Sequence, residues 1–543
     1  MQIGEYLISA LRKTGIRHVF GIPGDYVLNF YDRLCRSGLS VINTCDEQGS
    51  GFAADAYARV TGFGAVCITY GVGGLKVVNS TAQAYAERSP VLVISGAPGM
   101  AERKGDPLLH HKVRSFDSQL GIFREVTAAQ TVLGDPSIAA AEINRVIDTI
   151  LASKRPGYIE LPRDMVQAEA GMPAPGLALK SEFDGEALGE AVSEIMSMIA
   201  SAVRPVVIAG VEVHRFRLQQ VLLGFLDKSG FPFATTILGK SVVNETHPQF
   251  IGVYEGAMCR DDVREAVEGS DFILLAGTML TDIDTGIFTH HFNPNCTVSA
   301  DSTGIRVRRH VFQDIDLGSF LDAMTAAVRP GDAVTGITRM HEIPPFVPEN
   351  SRPVTVDRLF SCINNFLDDE TAVIADPGDA LFGAVDLLIR GATEFMSPAY
   401  YASLGFAVPA SLGVGLGTPA KRPLVLVGDG AFQMTGTELS TSLRCGLDPI
   451  VVVLNNGGYG TERPMIDGAF NDVQPWNYSS IPEVIGGGCG YDASTEGELV
   501  SALESARKNR GTPSIIDVKL SRDDFSPGLR KLTDRLRNRV ERK

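Results

Sequence analysis

Short runs of β-branched and other apolar residues recur along the chain, each followed by a longer stretch with the apolar spacing of a helix. The first third contains HVFGIP (18–23), SVINTC (40–45), AVCITYG (65–71), PVLVISG (90–96) and GYIELP (157–162). The middle third contains PVVIAG (205–210), FPFATTI (231–237), DFILLAG (271–277) and CTVSAD (296–301). The last third contains TAVIAD (371–376), PLVLVGDG (423–430), PIVVVLNN (449–456) and PSIIDVKL (513–520). Runs that are apolar on successive residues suit parallel strands covered on both faces by helices. Their alternation with helices predicts an α/β fold. MQIGEYLISALRKTG at the N-terminus predicts an amphipathic helix. Two Pro- and Gly-rich stretches, 171–184 and 329–356, interrupt the alternation and predict linkers. The expected result is three doubly wound domains with mostly parallel sheets, at 1–170, 185–330 and 355–543.

Composition narrows the function classes. The 543 residues suit three domains of ~100–200 residues each. With 44% hydrophobic and 21% charged residues, the chain is an ordinary folded one rather than a disordered one. A net charge of −15 argues against a nucleic-acid partner and gives no attraction to an anionic membrane. No apolar run reaches the ~18 residues of a membrane span, and the charged N-terminal helix lacks the apolar centre of a signal peptide. A cytoplasmic protein is expected. The eight cysteines include no Cys-x-x-Cys pair, which predicts buried, reduced thiols rather than a metal ribbon or redox site.

The strongest local chemistry lies at Gly428-Asp429-Gly430 and, 24 residues on, Asn455-Asn456. Each follows an expected strand, and 431–443 between them predicts a helix. Parallel strands align their carboxyl ends along one sheet edge, so Asp429 and Asn456 can converge there. Gly428 and Gly430 permit close approach of backbone, a helix start favours an anion, and Asp429 and Asn456 offer hard oxygens to Mg²⁺ beside phosphate. Gly458, in NNGGYG, adds a candidate carbonyl ligand. Gly-Asp-Gly by itself also fits an ordinary turn.

GDG, about two dozen residues and NN together resemble the diphosphate–Mg²⁺ motif of thiamine-diphosphate enzymes. PGDY (23–26), DEQGSGFAADAYAR (46–59), ITYGVGGL (68–75), LLHHKV (108–113), ADPGDALFG (375–383), YASLGF (401–406), NNGGYGTER (455–463) and FNDVQPWNY (470–478) extend the resemblance over nearly the whole chain, to the pyruvate/indolepyruvate/phenylpyruvate decarboxylase branch. It implies a pyrimidine-binding, a central and a diphosphate-binding domain. It also implies thiamine diphosphate and Mg²⁺ held between two subunits, in a homodimer at least and commonly a homotetramer.

The resemblance assigns roles residue by residue. Glu47 matches the glutamate on the pyrimidine N1′; by itself it reads as a helix-start acid. Leu404 matches the apolar prop that bends the cofactor, and Ala402 the carbonyl facing its amino group. Thr69, Gly378, Asp379, Ser403, Ala431 and Tyr459 fall at further cofactor-side positions, joining Gly428, Asp429, Gly430, Asn456 and Gly458. Pro377 stands where many relatives carry threonine. Asp25, His110, His111 and Glu462 match the acid–base set of the branch, with His111 expected closer to the chemistry than His110. Without the resemblance, Asp25 is a turn aspartate and Glu462 a helix-start acid. His290-His291 is a second His-His pair, which shows that such a pair alone is weak evidence.

The implied reaction is non-oxidative decarboxylation of a small-molecule 2-oxo acid to an aldehyde and CO₂, through the cofactor ylid and an enamine. Pyruvate-specific relatives usually carry isoleucine where this chain has Thr461, and Gly460 replaces a common threonine. The lost bulk predicts a pocket, with Thr461 and Tyr401 on it, for a side chain larger than a methyl group, such as a branched, phenyl or indolyl one; alternatively Gly460 and Thr461 merely suit a helix start and Tyr401 refills the space. Pyruvate decarboxylation and acetolactate-synthase-like carboligation are the alternatives within the family. A nicotinamide-dependent dehydrogenase is disfavoured because PVVIAGVEVHR (205–215) lacks the G-x-G-x-x-G turn. A non-enzymatic relative is disfavoured by the intact Glu47–Asp429–Asn456 set.

Overall fold

The computed structural model describes residues 1–171, 184–329, 344–390 and 394–540, without the side chains of 538–540. Most of the first expected linker and half of the second lie outside the described residues.

Three sheets carry the architecture. In the N-terminal sheet six parallel strands lie in the order Ser40–Asn43, His18–Gly21, Gly64–Ile68, Val91–Ala97, Gly157–Pro162, Ala129–Val132. The C-terminal sheet repeats the plan with Glu394–Met396, Thr371–Ala375, Arg422–Gly428, Ile450–Asn455, Ser514–Lys519 and Cys489–Ala493. By sequence rank both orders read 2-1-3-4-6-5. Strand order therefore reverses between the first and third strands of each sheet. At such a switch point the connections diverge and leave a crevice at the carboxyl ends. The central sheet has five parallel strands, then an antiparallel hairpin of Gly304–Val307 and His310–Gln313.

All strands expected from apolar runs form, and most bury side chains on both faces, Val91–Ala97 and Thr371–Ala375 throughout; the edge strand Ser40–Asn43 does not. The N-terminal amphipathic helix spans Ile3–Lys13. Six further strands were not signalled: Ala129–Val132, Phe250–Val253, Gly304–Val307, His310–Gln313, Glu394–Met396 and Cys489–Ala493. Five are sheet edges, where pairing on one side makes less demand for a continuous apolar run.

Two expectations are corrected. The helix read over 431–443 is broken into Asp429–Thr435, a 3₁₀ turn Gly436–Glu438, and Leu439–Arg444. A side chain at Gly436 would sit 2.3 Å from the Phe432 ring, and the turn delivers the Glu438 carboxylate to the backbone N–H groups of Cys45 and Asp46 at 3.0–3.1 Å. The cysteines are all free, but only Cys67, Cys259 and Cys362 are buried, whereas Cys35 and Cys45 are exposed. Cys35 lies on the outer side of the helix Leu28–Arg36, and Cys45 on the loop that meets Thr437.

The outer domains pack through small residues. A Cβ on Gly413, in the helix Ala407–Gly417, would lie 2.1 Å from the Ala53 carbonyl oxygen of the helix Glu47–Thr61. Close backbone approach there is possible only for glycine. Phe52 and Ala56 consequently belong to the C-terminal core, and Leu412 to the N-terminal one.

Candidate active site

A cavity of about 250 Å³ lies at the carboxyl ends of Thr371–Ala375, Arg422–Gly428 and Ile450–Asn455, at the switch point of the C-terminal sheet. The 377–380 turn contributes Gly378 and Asp379, and the following segment Ala402 and Leu404. Gly428, Asp429, Gly430 and Ala431 form one wall; Asn456, Gly458, Tyr459, Gly460, Thr461 and Glu462 form another. Ile283 of the central domain and Leu532 of the C-terminal helix Pro527–Val540 complete it.

Asp429 is its electrostatic centre. The carboxylate is buried and accepts from the backbone N–H of Gly430 at 2.7 Å, Gly457 at 2.7 Å and Gly458 at 3.1 Å. Burial pushes it up to about 6, against the pull of those three donors. An added Cβ at Gly428 meets nothing within 4 Å, so this wall is open. Arg463 shapes the opposite wall by donating to the carbonyls of Asn456 at 2.9 Å and Gly457 at 2.8 Å. Gly458 has φ +153°, where a Cβ would lie 2.0 Å from the Asn471 carbonyl oxygen. Gly460 has a local reason as well, since a Cβ there would come within 2.7 Å of Asn456 Nδ2. Thr461 Oγ1 lies 3.0 Å from the corresponding position on Gly378.

Leu404 is held between two left-handed residues, Ala402 (φ +57°) and Gly405 (φ +85°). Such conformations in a non-glycine residue persist only where the surroundings enforce them. Ala402 donates its N–H to the Pro398 carbonyl at 3.0 Å, and on the other side of Leu404 the fully buried Asp376 accepts from Gly405 N–H at 2.9 Å and Ala407 N–H at 2.8 Å. Tyr401 donates its backbone N–H to Glu87 at 2.9 Å, and its side chain is exposed rather than lining the cavity. Ser403 accepts from Asn79 at 2.8 Å and also lies off the lining.

A second cluster occupies the switch point of the N-terminal sheet. His110 Nε2 and Asp25 Oδ2 are 2.7 Å apart, and the His110 ring stacks on Tyr26 at 4.7 Å. His111 stands edge-on to His110 at 4.8 Å, with φ +66° and a buried Nδ1 lacking a partner. His110, rather than His111, therefore holds Asp25 directly. Thr69 Oγ1 is likewise buried and unpartnered. A Cβ on Gly24 would lie 2.5 Å from Thr69, so the Pro-Gly turn packs directly on it. Glu47 opens the helix Glu47–Thr61, whose N-cap Asp46 accepts from Gln48 N–H at 2.8 Å. His290 and His291 lie far along the chain on a central-domain loop, and His291 is exposed.

Among the described residues the C-terminal cavity is lined by no N-terminal-domain residue. One chain thus carries two half-sites, each at its own switch point. Glu438, Asp376, Arg463 and Lys76 shape these half-sites and were not singled out in the sequence. Asp376 and Arg463 sit within quoted motifs, whereas Glu438 and Lys76 lie just past the ends of theirs; the partners of Glu438, Asp376 and Lys76 are distant in sequence.

Comparison with known proteins agrees with this organisation. Residues 1–121 match the N-terminal TPP binding domain of thiamine pyrophosphate enzymes, residues 192–328 the central domain, and residues 381–518 the C-terminal TPP binding domain. An indole-3-pyruvate decarboxylase of Azospirillum brasilense is 35% identical over 535 residues, covering 97% of each chain. Alpha-keto-acid decarboxylases of Mycobacterium tuberculosis (strain H37Rv) and Mycobacterium ulcerans are each 32% identical, covering 96% and 98% of this chain and 94% and 96% of theirs.

Proposed function

The chain belongs to the thiamine-diphosphate-dependent 2-oxo acid decarboxylases, and from that premise we propose that it acts on a 2-oxo acid larger than pyruvate, with an aromatic or branched side chain. The observation that carries the substrate size is Thr461 on the cavity wall beside Glu462, where a β-branched hydrocarbon would take more room. Relatives named for indole-3-pyruvate and alpha-keto acids support the same class. A CO₂-release screen across pyruvate, branched, long-chain, phenyl and indolyl 2-oxo acids, with thiamine diphosphate and Mg²⁺ added, tests it. Preference for pyruvate would defeat the size argument.

The residues fit the cofactor. Asp429, Asn456 and the Gly458 carbonyl supply hard oxygens for Mg²⁺, and a cation would offset the burial that raises Asp429. The open wall at Gly428 suits a diphosphate, Gly430 keeps room for the Tyr459 ring, which a Cβ there would meet at 2.8 Å, and Leu404, pinned on both sides, suits an apolar prop. Unpartnered Thr69 Oγ1 and His111 Nδ1 in the N-terminal half-site await a polar ligand. Thiamine diphosphate, when bound, supplies carbanion stabilisation that no side chain offers. Glu47 presents a carboxylate for the pyrimidine N1′. Asp25, paired with His110, and Glu462 carry protons at the reacting carbon and its oxygen. Because Glu47 and Asp429 lie in separate half-sites, two chains assembled so that one half-site faces the other complete the centre. This favours a homodimer at least, with a tetramer as its extension. No helix among the described residues is long and apolar enough to cross a membrane.

Two outcomes follow from these roles. Asp25→Asn keeps the shape of the carboxylate but cannot exchange a proton with His110. Turnover should fall about 10²-fold, while proton exchange at cofactor C2 is retained and a substrate-derived species stays enzyme-bound after acid quench. Equal loss of exchange and turnover would contradict the assignment. Thr461→Ile adds bulk to the cavity wall. It should raise pyruvate turnover relative to phenylpyruvate or 4-methyl-2-oxopentanoate by about 10-fold or more, the lower end of what a methylene-sized change discriminates. Gly460 is the poorer position to test, because its closeness to Asn456 would mix size with cofactor binding.

A further inference from the structure

Glu47 does not stand alone in its half-site. Lys76, the last residue of the short helix Val72–Lys76, places Nζ 2.9 Å from Glu47 Oε2. The same ammonium group bonds Asp46 Oδ2, while Asp46 Oδ1 caps the helix through Gln48 N–H. A lysine is ordinarily a mobile point charge on a flexible stem; here two adjacent carboxylates fix it, and together they raise its pKa. The Glu47 side chain is only 12% exposed, so its charge is poorly served by water. Its other oxygen, Oε1, faces Gly73. A Cβ there would lie 3.3 Å from both Oε1 and Thr69 Cγ2, so glycine keeps that side clear. One oxygen of Glu47 is therefore engaged and the other is open, toward the side where Thr69 Oγ1 is buried without a partner.

We propose that Lys76 is a positioning residue for cofactor activation: by holding Glu47 Oε2 it presents Oε1 as the oxygen that accepts from the pyrimidine N1′ of thiamine diphosphate. The proposal rests on the reading of Glu47 as the N1′ partner. Without the ammonium group, Asp46 and Glu47 would be neighbouring like charges at one helix start, and the Glu47 carboxylate would be free to turn away.

The test compares two ligands on the full-length protein by titration calorimetry with Mg²⁺ present: thiamine diphosphate, and the analogue whose pyrimidine N1′ is replaced by C–H. The wild type should bind the first more tightly. In Lys76→Met the ratio of the two affinities should shrink about tenfold (~1.4 kcal/mol), through weaker binding of thiamine diphosphate with the analogue unchanged. Lys76→Arg, which keeps the charge, should restore most of the ratio. Equal weakening of both ligands in Lys76→Met, or an unchanged ratio, overturns the proposal. Glu47→Gln separates it from the reading beneath it. A ratio lost in Glu47→Gln but intact in Lys76→Met overturns the role of Lys76 alone, whereas a ratio that survives Glu47→Gln overturns both.

Discussion

Asp429→Ala should leave a protein that cannot retain thiamine diphosphate. The carboxylate is 1% exposed and binds three backbone N–H groups, two of them from the loop that also carries Asn456. Its removal deletes a proposed cation ligand and the acceptor that draws Gly457 and Gly458 into place. Buried N–H groups left unpaired cost ~1–3 kcal/mol each, so the loop is expected to relax away from the diphosphate wall. The measurement is gel filtration of the reconstituted protein followed by thiochrome fluorescence, with full retention of the cofactor as the result that defeats the assignment. Asp429→Asn serves as the companion variant. It keeps an acceptor for the loop and removes only the charge, so weakened but measurable binding is expected. A normal thermal transition of the cofactor-free form of either variant confirms that the fold is intact.

Glu47→Gln should slow C2 proton exchange by ~10²–10⁴-fold, the range over which positioned acid–base groups act. The substitution preserves the shape at the start of the helix Glu47–Thr61 and removes the charge that a bond to N1′ requires. It also releases Lys76 from one of its two carboxylate partners. NMR-monitored deuterium exchange of bound cofactor is the direct readout, and an unchanged rate would exclude Glu47. Bulk binding of thiamine diphosphate should change far less than exchange does, because the diphosphate end is proposed to lie with Asp429. The two variants therefore separate by readout, retention for one and activation for the other.

Much of this protein is legible along the chain. The apolar runs of the parallel strands, the GDG and NN elements after two of them, and the small-residue helix after Glu47 each depend on neighbours in sequence. A strand buried on both faces can be recognised because burial demands apolar residues in succession. Five of the six edge strands were not legible, since pairing on one side alone imposes no such pattern; Ala129–Val132 and Cys489–Ala493 are of this kind, and Ser40–Asn43 is the edge strand that was read. Nor was the break in 431–443, because Glu438 leaves the helix for backbone N–H groups nearly four hundred residues away.

The chain by itself determined the residue types at each half-site, since Asp429, Asn456 and Glu47 follow ends of strands that local pattern defines. Only the tertiary structure decided how those residues are held. The repeated 2-1-3-4-6-5 order sends the two sets to separate switch points. Asp376 pins the turn around Leu404, and His110 rather than His111 takes Asp25. Lys76 occupies one oxygen of Glu47, and Gly460 makes room for Asn456. These are contacts between side chains and backbone distant in sequence, and their energies depend on burial and orientation. Neither quantity is a property of a residue or its neighbours along the chain; both exist only once the sheets and helices have packed.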